Sequence, residues 1–352
     1  MYNTVAIIKT DPLALTWITT CEDRTPQVIL EANNNYRDPF RMPKLDQVIF
    51  RNDLTQELAT DLCMQTIGEV DIVTNVAPTK AYAVQQSQFA NLVSVKGNTI
   101  VTGVFNRYKQ KFQDQRLRLA INYAINRYDI IKKSYNGYAD LVPSLTPPWA
   151  LDFPEGLTPL GFHPEEANKL LRESDWNLGE TLKIASLSKY ESVAQLIANQ
   201  IEAHLKIPVN LYIIPTHEEI KWRKIIAEKN LNPYYDLFIL DATALFLEGT
   251  PAFFHREFFG TDGALRIGPE LPRFNELFNA MAAETNKELF LEKSKDVDRY
   301  VYEDTLSLFL FSPRSLYAVN KNVDFKPYIT TLEFAETSVT QEHWSKQFNK
   351  FY

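Results

Sequence analysis

The chain has 352 residues and a formal net charge of −7 at pH 7; 45% of its residues are hydrophobic and 23% are charged. This balance is typical of a globular protein, and the length allows two domains with ample core. The acidic balance argues against a large nucleic-acid-binding surface. No apolar run approaches the roughly 18 residues of a membrane-spanning helix.

The amino terminus lacks the features of an export signal. Its apolar stretch, in MYNTVAIIKTDPLALTWITTCEDR, is interrupted by Asp11-Pro12, and Cys21 is followed by acidic residues. A signal peptide has instead a basic segment, an uninterrupted apolar segment and a cleavage site. The expectation is therefore a cytoplasmic chain if this sequence is complete.

Patterns of strands and helices alternate along the rest of the chain. Before residue 105 the sequence predicts strands at 48–50 and 70–73 and an amphipathic helix at 55–67. The segment LVPSLTPPWALDFPEG is a predicted loop, since proline lacks the amide hydrogen that a helix or sheet interior needs. Further helices are predicted at 115–126, 164–173, 191–204, 217–229 and 286–304, and further strands at 182–187, 208–214, 236–240, 306–311 and 315–319.

Residues 91–138 are the most distinctive part of the sequence. A predicted strand is followed by a helix whose N-cap is Asp114, because a carboxylate can accept from the free amides of the first turn. Apolar residues then recur at helical spacing. Asp129 begins a second short helix, which Asn136-Gly137 ends with residues that tolerate positive φ.

This block resembles a signature of the family 5 solute-binding proteins of ABC importers, which include oligopeptide-, dipeptide- and nickel-binding proteins. Its matching positions are Asn106, Asp114, Arg116, Arg118, Ala120, Ala124, Ile125, Asn126, Arg127, Gly137 and Tyr138. The resemblance continues upstream at Asn33, Tyr36, Pro43, Leu45, Asp46 and the IGEVDIV turn, and downstream in FHPEEANKLLRESDW, LKIPVNLYII, YYDLFIL and TPAFF.

The resemblance implies an α/β, periplasmic-binding-protein-like type II fold with two lobes joined by a hinge. Lobe I would comprise residues 1–104 and, after the chain returns, 315–352; lobe II would comprise residues 105–314. Lobe I would be incomplete at its N-terminus, because the opening strands and an accessory subdomain of the family have no counterpart here.

The resemblance also implies a function. Members of the family capture a solute in the cleft between the lobes and deliver it to the permease subunits of an ABC transporter. This implies a binding protein rather than an enzyme, monomeric and without a cofactor, in the periplasm or at the cell surface, with a peptide or peptide-like solute as ligand. Two alternatives stay open: a cytoplasmic ligand-sensing regulator module of the same fold, and a truncated remnant that binds nothing.

The position of the ligand anchor differs from the family pattern. Peptide-binding members place an Asp after the strand that YYDLFIL matches, where it pairs with the α-amino group of the peptide. Counting forward from Tyr235 places that position at Leu245, and counting back from Pro251 places it at Leu247. Neither leucine can pair with an ammonium group, which is costly to bury alone.

Two acidic residues near this position could replace the missing anchor. They are Asp241 and Glu248, although Asp241 could equally cap a turn and Glu248 could be solvated. The candidate ligand-binding residues are Asn106, Asp241, Ala242, Thr243 and Glu248.

Catalytic and metal-binding motifs are not apparent. The sequence has no Gly-x-Ser-x-Gly, no GxxxxGK and no GxGxxG after a strand. Cys63 lies on the apolar face of a predicted helix, where core packing is expected, and it could pair with Cys21 in an oxidising compartment. The histidines show no His-x-x-His pair, so structural or surface roles are expected for His163, His204, His217, His255 and His343.

Overall fold

The computed structural model describes residues 27–33, 35, 40, 42–65, 68–228, 235–243, 247–330 and 332–347, and the backbone of residues 5–9. Within these residues the strands are β1 Val5–Lys9, β2 Gln27–Glu31, β3 Gln47–Arg51, β4 Ile72–Val73, β5 Ala90–Val95, β6 Thr99–Phe105, β7 Ala139–Leu141, β8 Leu182–Leu187, β9 Val209–Ile214, β10 Leu237–Thr243, β11 Ser307–Pro313, β12 Ser315–Asn320, β13 Val323–Asp324 and β14 Ser338–Val339. The helices are α1 Gln56–Gln65, α2 Ala81–Gln86, α3 Gln115–Tyr123, α4 Arg127–Tyr135, α5 Pro164–Glu173, α6 Glu191–Leu205, α7 Glu219–Ala227, α8 Arg256–Phe259, α9 Pro272–Ala282, α10 Lys287–Glu303 and α11 Trp344–Gln347.

The chain divides into two compact units. The second unit is the continuous segment Gly97–Pro313, and the described residues on either side of it form the first unit. The division predicted after residue 104 therefore differs from the structure, which places residues 97–104 in the second unit. The reason is that β6 is hydrogen-bonded on one side to β10 and on the other to β11.

The first unit is built on an antiparallel sheet with the strand order β2-β3-β1-β4-β12-β5. Tyr317 and Val319 of β12 pack with Leu45, Ile72 and Phe325 in its core. The thiol of Cys63 on α1 is buried and free, and burial raises its pKa to about 12. The disulfide considered above is therefore not formed at Cys63, and Cys21 lies outside the described residues.

A buried carboxylate fastens the C-terminal segment to the first unit. Asp71, in the turn before β4, is fully buried. Its Oδ1 atom lies 3.1 Å from Nε2 of His343 and accepts a 3.1 Å hydrogen bond from Nε1 of Trp344. The turn before β4 is thus an attachment point for residues that lie more than 250 positions later.

The second unit is built on a mixed sheet with the strand order β7-β11-β6-β10-β8-β9. The pairs of β10 with β8 and of β8 with β9 are parallel, whereas β6 runs antiparallel to both of its neighbours. Strands β8, β9, β10 and β11 therefore all end at the same edge of the sheet. This edge is called the carboxyl edge below.

Two buried arginines cap helix C-termini in the second unit. Arg118 donates to the carbonyls of Asp304 and Thr305 at the end of α10, and Arg127 donates to those of Asn122 and Ile125 at the end of α3. Carbonyls at a helix end lack the amide donors of a following turn and carry the negative end of the helix dipole. Burial lowers the pKa of Arg127 to about 10, so the guanidinium remains charged at neutral pH.

The helix predicted over 115–126 ends three residues earlier than expected, at Tyr123, and the second helix predicted from Asp129 begins two residues earlier. Asp114 is the N-cap of α3, as predicted, and accepts from the amide of Arg116 at 2.9 Å. The helix then ends, and Asn126 adopts an extended conformation and accepts from the amide of Asp129 as the N-cap of α4. The second helix thus begins at Arg127, and Asn136 ends it with a φ of 49°.

Candidate functional site

The topology of the second unit favours a ligand-binding site at its carboxyl edge. In open α/β sheets, ligands bind outside the carboxyl ends of parallel strands, where the following loops converge. Here the short turns Ser188–Tyr190 and Thr216–Glu218 follow β8 and β9 directly. Asp241 and Thr243 lie in the last three residues of β10, at the same edge.

An ion pair lies at the centre of this edge. The Asp241 carboxylate is 2.7 Å from Nζ of Lys189, and 14% of the Asp241 side chain and 35% of the Lys189 side chain are exposed. Nζ of Lys189 also lies 5.1 Å from the ring centroid of Tyr190, within the range of a cation–π interaction. The ion pair is therefore accessible to solvent, and the Lys189 ammonium group is held by the Asp241 carboxylate and the Tyr190 ring.

Two tyrosines surround the Asp241 carboxylate. Burial raises the pKa of the Tyr190 hydroxyl, and the negative charge of Asp241 and a hydrogen bond to that carboxylate raise it further. Burial raises the pKa of Tyr135 to about 12, and the charge of Asp241 contributes to this shift. Both hydroxyls therefore keep their protons at neutral pH and can act as hydrogen-bond donors.

Hydroxyl groups extend the site along the edge. Oγ1 of Thr243 lies 3.1 Å from Oγ1 of Thr99, which stands opposite it at the start of β6. Oγ of Ser188 lies 3.0 Å from Oγ1 of Thr216, which joins the turns that follow β8 and β9. The edge thus presents a lysine ammonium group, an aspartate carboxylate and several hydroxyl groups that can donate or accept hydrogen bonds.

Of the five candidate ligand-binding residues, Ala242, Glu248 and Asn106 do not join this arrangement. Alternate residues of a strand point to opposite faces, so Ala242 lies on the other face from Asp241, where it packs in the core. Glu248 is largely exposed and its carboxylate is 3.1 Å from Nζ of Lys287. Leu245 lies outside the described residues, and Leu247 is only partly buried.

Asn106 lies at the opposite end of the sheet. Its backbone amide donates to the carbonyl of Asp236 at 2.9 Å. Asp236 lies five residues before Asp241 of the neighbouring strand. At about 3.4 Å per residue this places Asn106 about 17 Å from Asp241 along the strand. Its side chain is buried and bonds to the carbonyl of Tyr235 and the amide of Tyr108. Asn106 therefore shapes the turn after β6, and the structure does not bring it together with Asp241.

Sequence reasoning missed Lys189, Tyr190 and Tyr135. The first two immediately follow a strand that the sequence predicts at 182–187, and this was the available signal. Their significance depends on β8 being parallel and adjacent to β10, which periodicity alone does not reveal. Among the described residues, no group of three or more His, Cys, Asp or Glu side chains could hold a metal ion.

Two cavities lie away from the carboxyl edge. One, of about 360 Å³, is in the first unit and is lined by apolar side chains that include Leu45, Phe50 and Phe334. The other, of about 300 Å³, is in the second unit beside Tyr212, Trp222 and Tyr235. Neither of these two cavities is lined by Asp241 or Lys189.

Comparison with known proteins assigns the chain to a class. The sequence profile of "Bacterial extracellular solute-binding proteins, family 5 Middle" matches residues 20–261, which is more than half of the chain. The chain therefore belongs to family 5 of the bacterial extracellular solute-binding proteins, as its sequence motifs implied. In the described part of the chain, no helix is long and apolar enough to cross a membrane.

Individual relatives show similarity over part of their length. A dipeptide-binding protein of Escherichia coli is 23% identical over 164 residues, which are 46% of this chain and 30% of the relative. A glutathione-binding protein of Salmonella typhimurium is 27% identical over 164 residues, which are 44% of this chain and 30% of the relative. The matched region thus spans about a third of the length of these curated relatives.

A solved structure shows the same fold. The substrate-binding protein CtaP of an ABC transporter from Listeria monocytogenes superposes with a TM-score of 0.76 at 18% identity, over 89% of this chain and 64% of that one. The fold is therefore the α/β, periplasmic-binding-protein-like type II fold that the sequence predicts.

Proposed function

We propose that this chain is the substrate-binding component of an ABC importer, which captures a peptide or peptide-like solute and delivers it to permease subunits. The observation that carries this proposal is the family match over residues 20–261. On the same basis we propose that it binds its ligand in the periplasm or at the cell surface, as a monomer and without catalysis. The named relatives favour this function over a cytoplasmic sensor, since both of those described above bind peptides.

The chemistry of the carboxyl edge supports a peptide ligand. A peptide backbone offers an amide donor and a carbonyl acceptor at nearly every residue. The hydroxyls of Thr99, Thr243 and Ser188 can serve either role. Lys189 can pair with a carboxylate of the ligand, and Asp241 holds it in position at 2.7 Å.

A thermal-shift screen of the purified chain against di- to pentapeptides, glutathione, oligosaccharides and nickel tests the proposal. A ligand that binds only the folded state raises the melting temperature according to its concentration and affinity. We expect shifts with a subset of the peptides, followed by saturable heats in calorimetry. Shifts with oligosaccharides or nickel alone would overturn the peptide assignment, and the absence of any shift would overturn binding by this chain.

Asp241→Asn should weaken the binding of a peptide identified in that screen by about 1–3 kcal/mol. The substitution preserves size but removes the charge that holds Lys189, so this side chain loses its fixed position. Glu248→Gln is the matched control, because Glu248 is an acidic residue of the same region that pairs at the surface. Calorimetric titration of both variants measures the effect, and equal affinities in all three proteins would place the ligand elsewhere.

N-acetylation of the peptide should change its affinity by less than about tenfold, or 1.4 kcal/mol. Asp241 is already neutralised by Lys189, and Leu247 offers no carboxylate, so an incoming ammonium gains little. Titration of one peptide with a free and with an acetylated N-terminus decides the question. A hundredfold preference for the free amine would mean that Asp241 or Glu248 acts as an ammonium anchor.

A further inference from the structure

A second polar site lies buried in the second unit, away from the residues described so far. It is formed by the loop after β7, by the turn over Thr250–His255 and by one face of α10. Its members are almost entirely inaccessible to solvent, with at most 3% exposure. We call this set the buried polar cluster: Ser144, Thr146, Asp152, Thr250, His255, Ser294 and Asp298.

Hydrogen bonds connect the three segments. Oδ1 of Asp298 accepts from the hydroxyl of Ser144 and lies 2.7 Å from Nε2 of His255. Oδ2 of Asp152 accepts from the amides of Gly249 and Thr250 at 2.9 and 3.2 Å. Ser144 and His255 both bond to the same carboxylate oxygen, whereas a serine nucleophile bonds directly to its histidine base.

These bonds leave many of the cluster's polar atoms without a partner. Buried polar atoms in native proteins are almost always hydrogen-bonded, so such a concentration indicates that something else occupies the space among them. The atoms without a hydrogen-bond partner are Oγ1 of Thr146, Oδ1 of Asp152, Oγ1 of Thr250, Nδ1 of His255, Oγ of Ser294 and Oδ2 of Asp298.

The cluster contains more acidic than basic side chains. It holds two carboxylates, Asp152 and Asp298, and a single imidazole that can offset one of them. Burial raises the pKa of Asp152 to about 6, and the charge of Asp298 also raises it. Two amide donors and His255 lower this pKa. Two carboxylates therefore share, with one imidazole, a region from which water is largely excluded. An isolated buried charge is costly unless an opposite charge accompanies it.

We propose that the buried polar cluster binds one monovalent cation, sodium or potassium. Five of its six unpartnered atoms are oxygens, from two carboxylates and three hydroxyls, and hard cations prefer such ligands. The Asp298 carboxylate already has the His255 ring 2.7 Å away, whereas the Asp152 carboxylate is bonded to two backbone amides, and a single positive charge would supply the cationic partner that it lacks within the cluster. A transition metal is disfavoured, since within the described residues no set of three or more His, Cys, Asp or Glu side chains could hold one.

The cation would join the loop after β7, the turn that follows β10 and α10. Each segment contributes at least one unpartnered oxygen: Thr146 and Asp152 from the loop, Thr250 from the turn, and Ser294 and Asp298 from the helix. Removal of the ion would leave these oxygens unpaired and the carboxylates uncompensated. The site is therefore expected to stabilise the second unit.

Thermal unfolding in matched salts tests this proposal. The purified chain is exchanged into choline chloride and then titrated with sodium or potassium chloride at constant ionic strength. We expect a saturable rise of several degrees in melting temperature with one of the two metal ions, because it binds the folded state alone. Identical melting temperatures in all three salts would show that ordered water fills the cluster, and the proposal would fail.

Two variants and a control sharpen the test. Asp152→Asn removes one charge and should abolish the dependence on the metal ion, whereas Glu155→Gln, an exposed neighbour in the same loop, should retain it. If Asp152→Asn does not fold, Ser294→Ala keeps the charge and should shift the titration to higher metal-ion concentration. An Asp152→Asn protein that is more stable than the parent in every salt would contradict the proposal, since it would mean that the parent carries an uncompensated charge.

Discussion

Replacing Arg118 by methionine should lower the free energy of unfolding of the second unit by about 3–5 kcal/mol, because four backbone carbonyls lose a charged hydrogen-bond donor. The guanidinium donates to the carbonyls of Phe112 and Gln113 as well as to the end of α10, and it lies 3.2 Å from the carboxylate of Asp304. Methionine fills most of the volume but leaves these acceptors unpaired in the interior.

Urea unfolding followed by far-ultraviolet circular dichroism measures this effect, with separate transitions fitted if the two units unfold independently. Arg116→Met is the matched control, because Arg116 lies on the same helix and forms an ion pair with Asp114 at the surface. Its unfolding curve should remain nearly unchanged, since exposed pairs contribute little. Equal losses in the two variants would show that Arg118 is not the point at which these segments are held.

Replacing Asp71 by alanine should lower the free energy of unfolding of the first unit by about 2–4 kcal/mol, because two buried donors lose their acceptor. These donors are the ring nitrogens of His343 and Trp344. The loss should be concentrated in the C-terminal segment, which this carboxylate fastens. Residues 340–347 should therefore exchange their amide hydrogens faster and become sensitive to protease.

Hydrogen exchange read by mass spectrometry locates the effect of the Asp71 substitution. Glu69→Ala is the control, since Glu69 belongs to the same turn but is exposed. Asp71→Asn should be intermediate, because the amide oxygen can still accept from one ring. Unchanged exchange at residues 340–347 in the Asp71→Ala protein would refute the attachment.

Elements specified by local signals could be predicted from the sequence. The helix at 164–173 and the strand at 182–187 agree with α5 and β8 at both ends. Proline at the first position and acidic residues in the first turn mark the start of α5 independently of the rest of the fold. Such signals lie within a few residues of the element that they determine.

Features specified by distant residues could not be predicted in this way. Whether residues 99–105 belong to one unit or the other depends on β10 and β11, which lie more than 130 residues further along the chain. The same limit applies to the candidate site. Asp241 was found as a carboxylate near a strand end, but its partner Lys189 becomes visible only when the parallel pairing of β8 and β10 is known.

The burial of arginines is a further feature that the sequence alone does not predict. Arg116 and Arg118 form one pair in the sequence, and polarity alone places both at a surface. In the structure half of the Arg116 side chain is exposed, whereas Arg118 is 2% exposed. The two differ because Arg118 faces the end of α10, a helix that begins almost 170 residues later.

The position of β12 between β4 and β5 has a consequence for synthesis on the ribosome. Residues 97–313 emerge as one uninterrupted segment and can begin to fold as soon as β11 is available. In the described sheet, β5 pairs with β12 alone, so it stays without its neighbour until residue 320 has left the exit tunnel. Unpaired strand edges attract other chains. The nascent protein thus leaves residues 90–95 unpaired throughout the synthesis of the second unit.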